Sequence, residues 1–324
     1  MKKLSIIAII LASLAIAGEA FIFATHKESG DELHVQAIRT GYHVYAPSIP
    51  DTLTFAGERV PLNIYYVREG LDRELVSNMY FQSNTLFMIK RATRFFPTIE
   101  RILKEEGVPE DLKYLCVIES GLQCVTSPAG AGGYWQFMKA TGQKYGLEIT
   151  DEVDMRNHLE LSTRAACRYL KSLYGRFGSW SKAAAAYNCG ENGLERRLAN
   201  QHQESYYDLY LNRETSRYVY RILALKLIMQ HPQDYGYIVR RCDTYPEVST
   251  TGVTLGGQNV NLVQFAIDNG TSYKMLRELN PWLTTDNLKN KAGKSYTVQV
   301  PVKKGTEYKT IVKGKHDTTV IQHI

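Results

Sequence analysis

The chain has 324 residues, long enough for two domains. Its hydrophobic fraction of 44% and charged fraction of 22% are those of an ordinary globular protein with a real buried core. Lys and Arg number 39 against 33 Asp and Glu, a net +6; that excess fits an acidic polymer but is too mild to argue a function from charge alone.

The N-terminus is more specific. Lys2 and Lys3 precede an apolar run from Leu4 to Ala17 broken only by small Ser residues. This is the pattern of a secretory signal, shorter than the ~20 apolar residues of a membrane span. Ala15-Ile16-Ala17 offers a small-x-small cleavage site and Gly18-Glu19-Ala20 a weaker one, which predicts a signal over residues 1–20. The competing reading is an uncleaved anchor to residue 25, because Phe21 to Ala24 resume the apolar stretch. Either reading predicts export to the periplasm or cell envelope, the second with membrane association through the N-terminus. No Cys lies near the cleavage site, so a lipid anchor has no support. The five cysteines, Cys116, Cys124, Cys167, Cys189 and Cys242, leave at least one unpaired and match no zinc spacing. No metal, cofactor or nucleic-acid site is expected.

Residues 26–59 read as an extended lead-in punctuated by Gly30, Gly41, Pro47 and Pro50. From Val60 apolar residues recur at helical steps. Gly107 ends one segment, and Pro109, Glu110 and Asp111 open a helix predicted to run to Ser120 and stop at Gly121. Further helices are predicted over Leu161–Tyr174, Ser181–Tyr187 and Thr215–Met229. The pattern changes near Gln230-His231-Pro232. Beyond it lie β-rich stretches at Tyr237–Arg241 and Ser295–Val302, with helical patterns over Leu262–Ile267 and Tyr273–Leu279 between them. The expected organisation is a mainly α domain over 60–236, a small βααβ module over 237–303 and a polar tail over 304–324 without a core of its own.

Within the helix ending at Ser120, Leu112, Leu115, Cys116 and Ile118 define an apolar stripe. Glu119 lies seven positions beyond Leu112 and falls on the same inward face. Desolvation and the negative end of the helix dipole would both favour its protonated form, as a general acid requires. The bland alternative, a frayed and solvated helix end, stands equal to it on periodicity alone. A small-residue loop follows, Ser127 to Gly133, opening into Tyr134-Trp135-Gln136-Phe137-Met138. Glycines let a backbone approach a ligand, and an aromatic-amide cluster can stack on and hydrogen-bond a sugar. Core packing for Trp135 and Phe137 and a tight turn for Gly132-Gly133 are the competing explanations.

Taken in order, these residues closely resemble the lytic transglycosylases of the soluble-transglycosylase superfamily, particularly the membrane-bound lytic transglycosylase D group. Glu119-Ser120 matches a Glu-Ser pair ending a helix, and Gly133 to Met138 matches a Gly-x-Trp-Gln-Phe-Met segment. Ala186-Tyr187-Asn188-Cys189-Gly190 resembles an Ala-Tyr-Asn-x-Gly motif, and Glu214-Thr215 with Tyr218 a closing Glu-Thr-x-x-Tyr element. Lys139 departs from the usual proline, and Asn157-His158 from the usual Asp-Pro. The resemblance spans roughly 60–229 and implies a goose-type lysozyme-like helical fold. It implies cleavage of the β-1,4 bond between N-acetylmuramic acid and N-acetylglucosamine of peptidoglycan glycan strands. Glu119 would act as acid and then base, while the muramyl C6 hydroxyl closes a 1,6-anhydro ring. No second catalytic carboxylate is then required, unlike in most glycosidases. By the same resemblance Ser120 and Tyr187 orient the carboxyl or bond near the scissile linkage. Gly133, Tyr134, Gln136 and Met138 line a saccharide wall, and Asn188 and Tyr218 shape the groove.

The stretch from Val260 to Pro301 resembles a lysin-motif (LysM) module with a degenerate opening between Thr251 and Asn261. Sugar binding and a packing role against the catalytic domain are equally open for it. Two rival functions share the pattern: a hydrolytic muramidase using water, and a non-catalytic peptidoglycan-binding protein. The intact Glu119, Gln136 and Tyr187 argue against the second. The sequence leaves the oligomeric state unspecified.

Overall fold

A computed structural model describes residue 35, residues 44–312 and residues 317–324. The expected signal or anchor and half of the lead-in lie outside the described residues. Among the described residues no helix is long and apolar enough to cross a membrane.

The lead-in does not stay extended to residue 59. Its end folds into a hairpin, β1 (Thr54–Phe55) and β2 (Glu58–Arg59), joined by Ala56-Gly57 with φ of 51° and 84°. Positive φ at both turn residues suits the right-handed twist of a two-residue hairpin. Phe55 is fully buried, so the hairpin belongs to the helical domain's core. A buried polar pin secures it: the Lys226 ammonium donates to the Thr54 carbonyl (2.8 Å) and pairs with Asp111 (2.7 Å), whose carboxylate also accepts from the Ala56 N–H (2.7 Å).

Two long helices follow, α1 (Tyr65–Tyr80) and α2 (Gln82–Glu105). The helix expected from Pro109 opens instead as a 3₁₀ turn over Glu110–Leu112, and α3 proper spans Lys113–Ser120. Gly121 ends it in the left-handed conformation, φ 60°, returning its N–H to the Val117 carbonyl (2.8 Å). The domain is completed by α4 (Lys139–Lys144), α5 (Leu159–Phe177), α6 (Trp180–Cys189), α7 (Glu191–Gln201) and α8 (Arg213–Gln230). Helix α8 is the centre of the packing, touching α1, α3 and α6. Twelve of its side chains are buried, which a two-sided contact demands. Glu74 of α1, almost wholly buried, receives both Arg217 Nε (2.7 Å) and Nη2 (2.8 Å), so the α1–α8 contact encloses a bidentate ion pair. The Glu58 carboxylate of the hairpin caps α6 from outside its own chain segment, accepting from Ser179 Oγ, the Trp180 N–H, and the N–H and Oγ of Ser181.

The C-terminal module is a strand–helix–helix–strand unit, but it begins later than expected. Tyr237–Arg241 is not a strand of it; the opening strand is β3 (Thr250–Leu255), where the sequence reads as irregular. After the short β4 (Val260–Asn261), α9 (Leu262–Asp268) and α10 (Tyr273–Leu279) occupy the expected places. β5 (Asn287–Leu288) pairs with β4, and β6 (Tyr296–Pro301) runs antiparallel to β3 from Thr250↔Pro301 to Leu255↔Tyr296. Buried Asn280 ties α10 to β6, donating to the Gln299 carbonyl (2.7 Å) and accepting from its N–H (2.8 Å). The tail carries a short α11 (Tyr308–Ile311) and, contrary to expectation, joins the core. Ile321 is buried, its N–H donates to the Val239 carbonyl, and Val320 bridges Arg240, so the tail takes the strand-like partner role beside 237–241. All five cysteines are free thiols; Cys116 and Cys124 are not bonded to each other.

Candidate active site

Glu119 sits on the last turn of α3 because the apolar stripe Leu112, Leu115, Cys116 and Ile118 turns that helix inward. Its carboxylate accepts a short hydrogen bond from the Tyr218 hydroxyl of α8, ninety-nine positions away in sequence. Burial is the dominant influence on the carboxyl and pushes it up to about 7. The Tyr218 hydrogen bond and the Arg221 charge pull the other way, while the negative charge of Glu214 adds to the rise. Tyr218 is itself almost fully buried, and burial beside Glu119 holds its phenol well above the ordinary range. The hydroxyl therefore stays a donor. The site presents a carboxylic acid poised near neutrality, with a fixed hydrogen-bond partner.

Glu214, Tyr218 and Arg221 lie four and three positions apart and share one face of α8. Arg221 donates to the Ile118 carbonyl (3.2 Å), covering a backbone acceptor at the end of α3 beside the acid. Sequence reading missed Arg221, although its helical spacing from Glu214 and Tyr218 would have found it. Asn188, at the end of α6, donates to Glu214 (3.1 Å) and accepts from Thr215 Oγ1 (2.9 Å), locking that face in place. Beside it, Cys189, Arg196, Arg197 and Asn212 help line a recess of about 500 Å³.

The small-residue loop is held against α3 and α6 by its carbonyls. Ser120 Oγ donates to the Tyr134 carbonyl (2.7 Å), and the Tyr187 hydroxyl donates to the Trp135 carbonyl (2.7 Å). Ser120 and Tyr187 thus position the loop and form no hydrogen bond to the Glu119 carboxyl, which is Tyr218's partner. Gly133 has φ 78°, and a Cβ there would lie 1.9 Å from the Arg156 carbonyl oxygen, so only glycine fits. Gln136 also adopts positive φ, 49°, and its amide donates to the carbonyls of Val125 and Gly133 (both 2.9 Å). Met138 is half exposed at the loop's exit. The aromatic cluster divides differently from expectation. The Tyr134 side chain is buried against Phe95, and Trp135 is fully buried with its indole N–H on Thr163 Oγ1 (2.9 Å). Phe137 is buried as well. These three rings are core, so Tyr134 does not offer its ring to a saccharide wall; Gly133 is buried as well, and Gln136, half-buried, and Met138, exposed, remain as the surface residues of that segment.

A partly buried acid on a helix end, held by a tyrosine from a crossing helix and flanked by a glycine-rich loop, accompanies a recognisable domain order. Residues 96–210 match the transglycosylase SLT domain family, and residues 252–304 match the soluble lytic transglycosylase C-terminal LysM-like domain. The chain therefore carries an SLT transglycosylase domain followed by a LysM-like module. It is homologous to membrane-bound lytic murein transglycosylase D of Escherichia coli K12, with 30% identity over 262 residues, 78% of this chain and 56% of that protein. The chain thus spans little more than half the length of that relative. A shorter match, 44% over 82 residues, links 25% of the chain to 6% of peptidoglycan transglycosylase gp16 of Escherichia phage T7. Among solved structures, the 70 kDa soluble lytic transglycosylase of Escherichia coli aligns with 53% of this chain and 30% of its own at 18% identity and a TM-score of 0.39.

Proposed function

We propose that this protein is a peptidoglycan lytic transglycosylase of the cell envelope, acting in the periplasm. It cleaves the β-1,4 bond between N-acetylmuramic acid and N-acetylglucosamine. The observation that carries this reading is Glu119, the carboxyl that burial raises toward neutrality at the site. Glu119 is raised to about 7 by burial, its hydrogen-bond partner is a tyrosine, and the nearby Glu214 is engaged by Asn188. Protonated Glu119 gives its proton to the departing glycosidic oxygen as the C1–O4 bond breaks. The carboxylate so formed, steadied by Tyr218 and Arg221, then takes the proton of the muramyl C6 hydroxyl. That oxygen closes on C1 of the same residue, and the acid is regenerated. No water is consumed, so no second carboxylate is needed to activate one. Gln136 and Met138, with the Gly133 backbone behind them, serve as the saccharide wall, and Asn188 keeps Glu214 and Thr215 in register beside it.

The catalytic unit on this reading begins at the β1–β2 hairpin and extends through the end of α8, with the LysM-like module opening at β3. Mass spectrometry of purified peptidoglycan after digestion tests the reaction. Transglycosylase products end in anhydromuramic acid and are lighter by one water than the reducing-ended products of a muramidase. Reducing ends would replace this assignment with hydrolysis; no soluble products at all, with wall binding retained, would replace it with a binding role.

A further inference from the structure

The LysM-like module is docked on the catalytic domain, and the place where it docks is informative. Its segment after α10 meets the loop at 148–158 in a short antiparallel bridge between Val153 and Leu283. The Asp154 N–H donates to the Trp282 carbonyl (2.8 Å), and the Thr284 N–H donates to the Glu152 carbonyl (3.0 Å). The Glu152 carboxylate accepts from the backbone N–H of Lys289 (3.3 Å) and of Asn290 (3.1 Å). Glu148 receives the Tyr296 hydroxyl (3.2 Å) and pairs with Lys294 (2.9 Å). Trp282 is 2% exposed, its ring lying 5.9 Å from that of His158 and 5.6 Å from that of Tyr296. A ring so covered is closed to a sugar.

The same loop holds the catalytic domain's glycine-rich segment from behind. Asp154, whose N–H is fixed by the module, grips Arg156 through Nε (2.9 Å) and Nη2 (2.7 Å). Arg156 is 8% exposed and spends its other nitrogen, Nη1, on the carbonyls of Gly130 (2.8 Å) and Phe137 (3.0 Å). A Cβ on Gly132 would lie 2.8 Å from the Arg156 guanidinium carbon, so the segment is packed directly on that side chain. Gly132 and Phe137 exchange both backbone hydrogen bonds (3.0 and 3.1 Å), which makes the stretch between them, including Gly133 and Gln136, one closed turn. The path from module to turn thus runs through two side chains, Asp154 and Arg156, and nothing softer.

We propose that the LysM-like module is a positioning part of the active site: acting through Asp154 and Arg156, it fixes the shape of the Gly130–Met138 segment. A module that served only as a wall tether would need a free sugar face and a loose connection. This one places its tryptophan in the interface and its backbone on the loop behind the turn. The proposal rests on the reading of that segment as the saccharide wall, and its test separates the two.

The test uses the full chain and two variants. Glu152→Ala weakens docking from the loop's side, by removing the carboxylate that accepts from Lys289 and Asn290, and Asp154→Asn loosens the grip on Arg156 while leaving the module's own fold alone. Amide hydrogen exchange is followed at Gly132 and Phe137, at Val253 and Val298 of the β3–β6 ladder, and in α8. Cleavage is measured on a soluble glycan fragment too short to reach a second binding site, so that tethering has no influence. The expectation is exchange at Gly132 and Phe137 faster by about five- to tenfold in both variants. The β3–β6 ladder in Asp154→Asn and α8 in both variants should be unchanged. A fall in kcat/KM of similar size should accompany it, carried mainly by KM, with the pH profile unmoved. Unchanged exchange at Gly132 and Phe137, or unchanged kcat/KM on the short glycan, would overturn the proposal. Faster exchange spread evenly through α8 would also overturn it, as general destabilisation. A wild-type chain that cleaved nothing would defeat the enzymatic reading instead, while the exchange measurement would still decide the positioning.

Discussion

Replacing Glu119 with Gln tests the physical state of the acid without reference to any substrate. In the unfolded chain the carboxyl titrates near 4.5, and in the folded protein burial raises it to about 7. The folded state therefore keeps a proton that the unfolded state has released across that interval. Stability from this source is fully present below pH 4.5, declines as pH rises, and is lost once pH exceeds the folded value. At ~1.36 kcal/mol per pH unit, the interval corresponds to roughly 3 kcal/mol. Glutamine is uncharged throughout and keeps an oxygen to accept the Tyr218 hydroxyl. Glu119→Gln should therefore be more stable than the wild type at pH 8 by up to about 3 kcal/mol, and nearly equal to it at pH 4.5. For a domain of this size that is a rise in melting temperature of roughly 6–12 °C at the higher pH. Thermal unfolding of both proteins at several pH values between 4.5 and 8 reads it directly. A gap that stayed constant with pH would show that Glu119 titrates as an ordinary solvated carboxylate, and the poised acid would be lost with it.

Tyr218→Phe removes the hydroxyl that favours the charged form of Glu119, so the carboxyl should rise further. The descending alkaline limb of kcat/KM, expected near pH 7, should move upward by about one pH unit, the worth of a charge-assisted hydrogen bond; a limb that stayed still would separate Tyr218 from the acid. Gly133→Ala should cost roughly 2–4 kcal/mol in a chemical denaturation experiment, because the added methyl meets the Arg156 carbonyl at a backbone φ of 78°. An alanine variant within 0.5 kcal/mol of wild type would mean the turn and Arg156 can separate freely.

How much of this was legible in the sequence depended on whether the signal was local. Helix ends declared themselves through Gly107, Gly121 and the Pro-Glu-Asp run, and the helices of the C-terminal module fell where their apolar spacing put them. Counting put Glu119 on the inward face of its helix but left a solvated helix end equally open, until the loop after it was read. Its partner could not, since Tyr218 reaches it from ninety-nine residues away and only the packing of α8 on α3 brings them together. The hairpin at 54–59 escaped notice because strands of two residues leave no alternation to read. Trp135 and Phe137 look like sugar-stacking residues in sequence because an aromatic ring suits a core and a groove equally well; burial decides between them. The docking of the C-terminal module was invisible for a related reason. Its contacts run largely through backbone groups of Asp154, Trp282 and Thr284, and every residue type has those.

The SLT domain match starts at residue 96, inside α2, which runs from Gln82 to Glu105. The pieces that seat the catalytic region lie upstream of that point: Phe55 in the core, Glu58 on the α6 cap, Glu74 against Arg217. The segment that matches the domain family is therefore narrower than the unit that folds. The chain ahead of residue 96 makes its contribution through a few buried anchors, Phe55, Glu58 and Glu74, set far apart in sequence. Residues 96–210 taken alone would leave out the portion of this chain that grips α6 through Glu58 and α8 through Glu74, and with them Tyr187 and Tyr218.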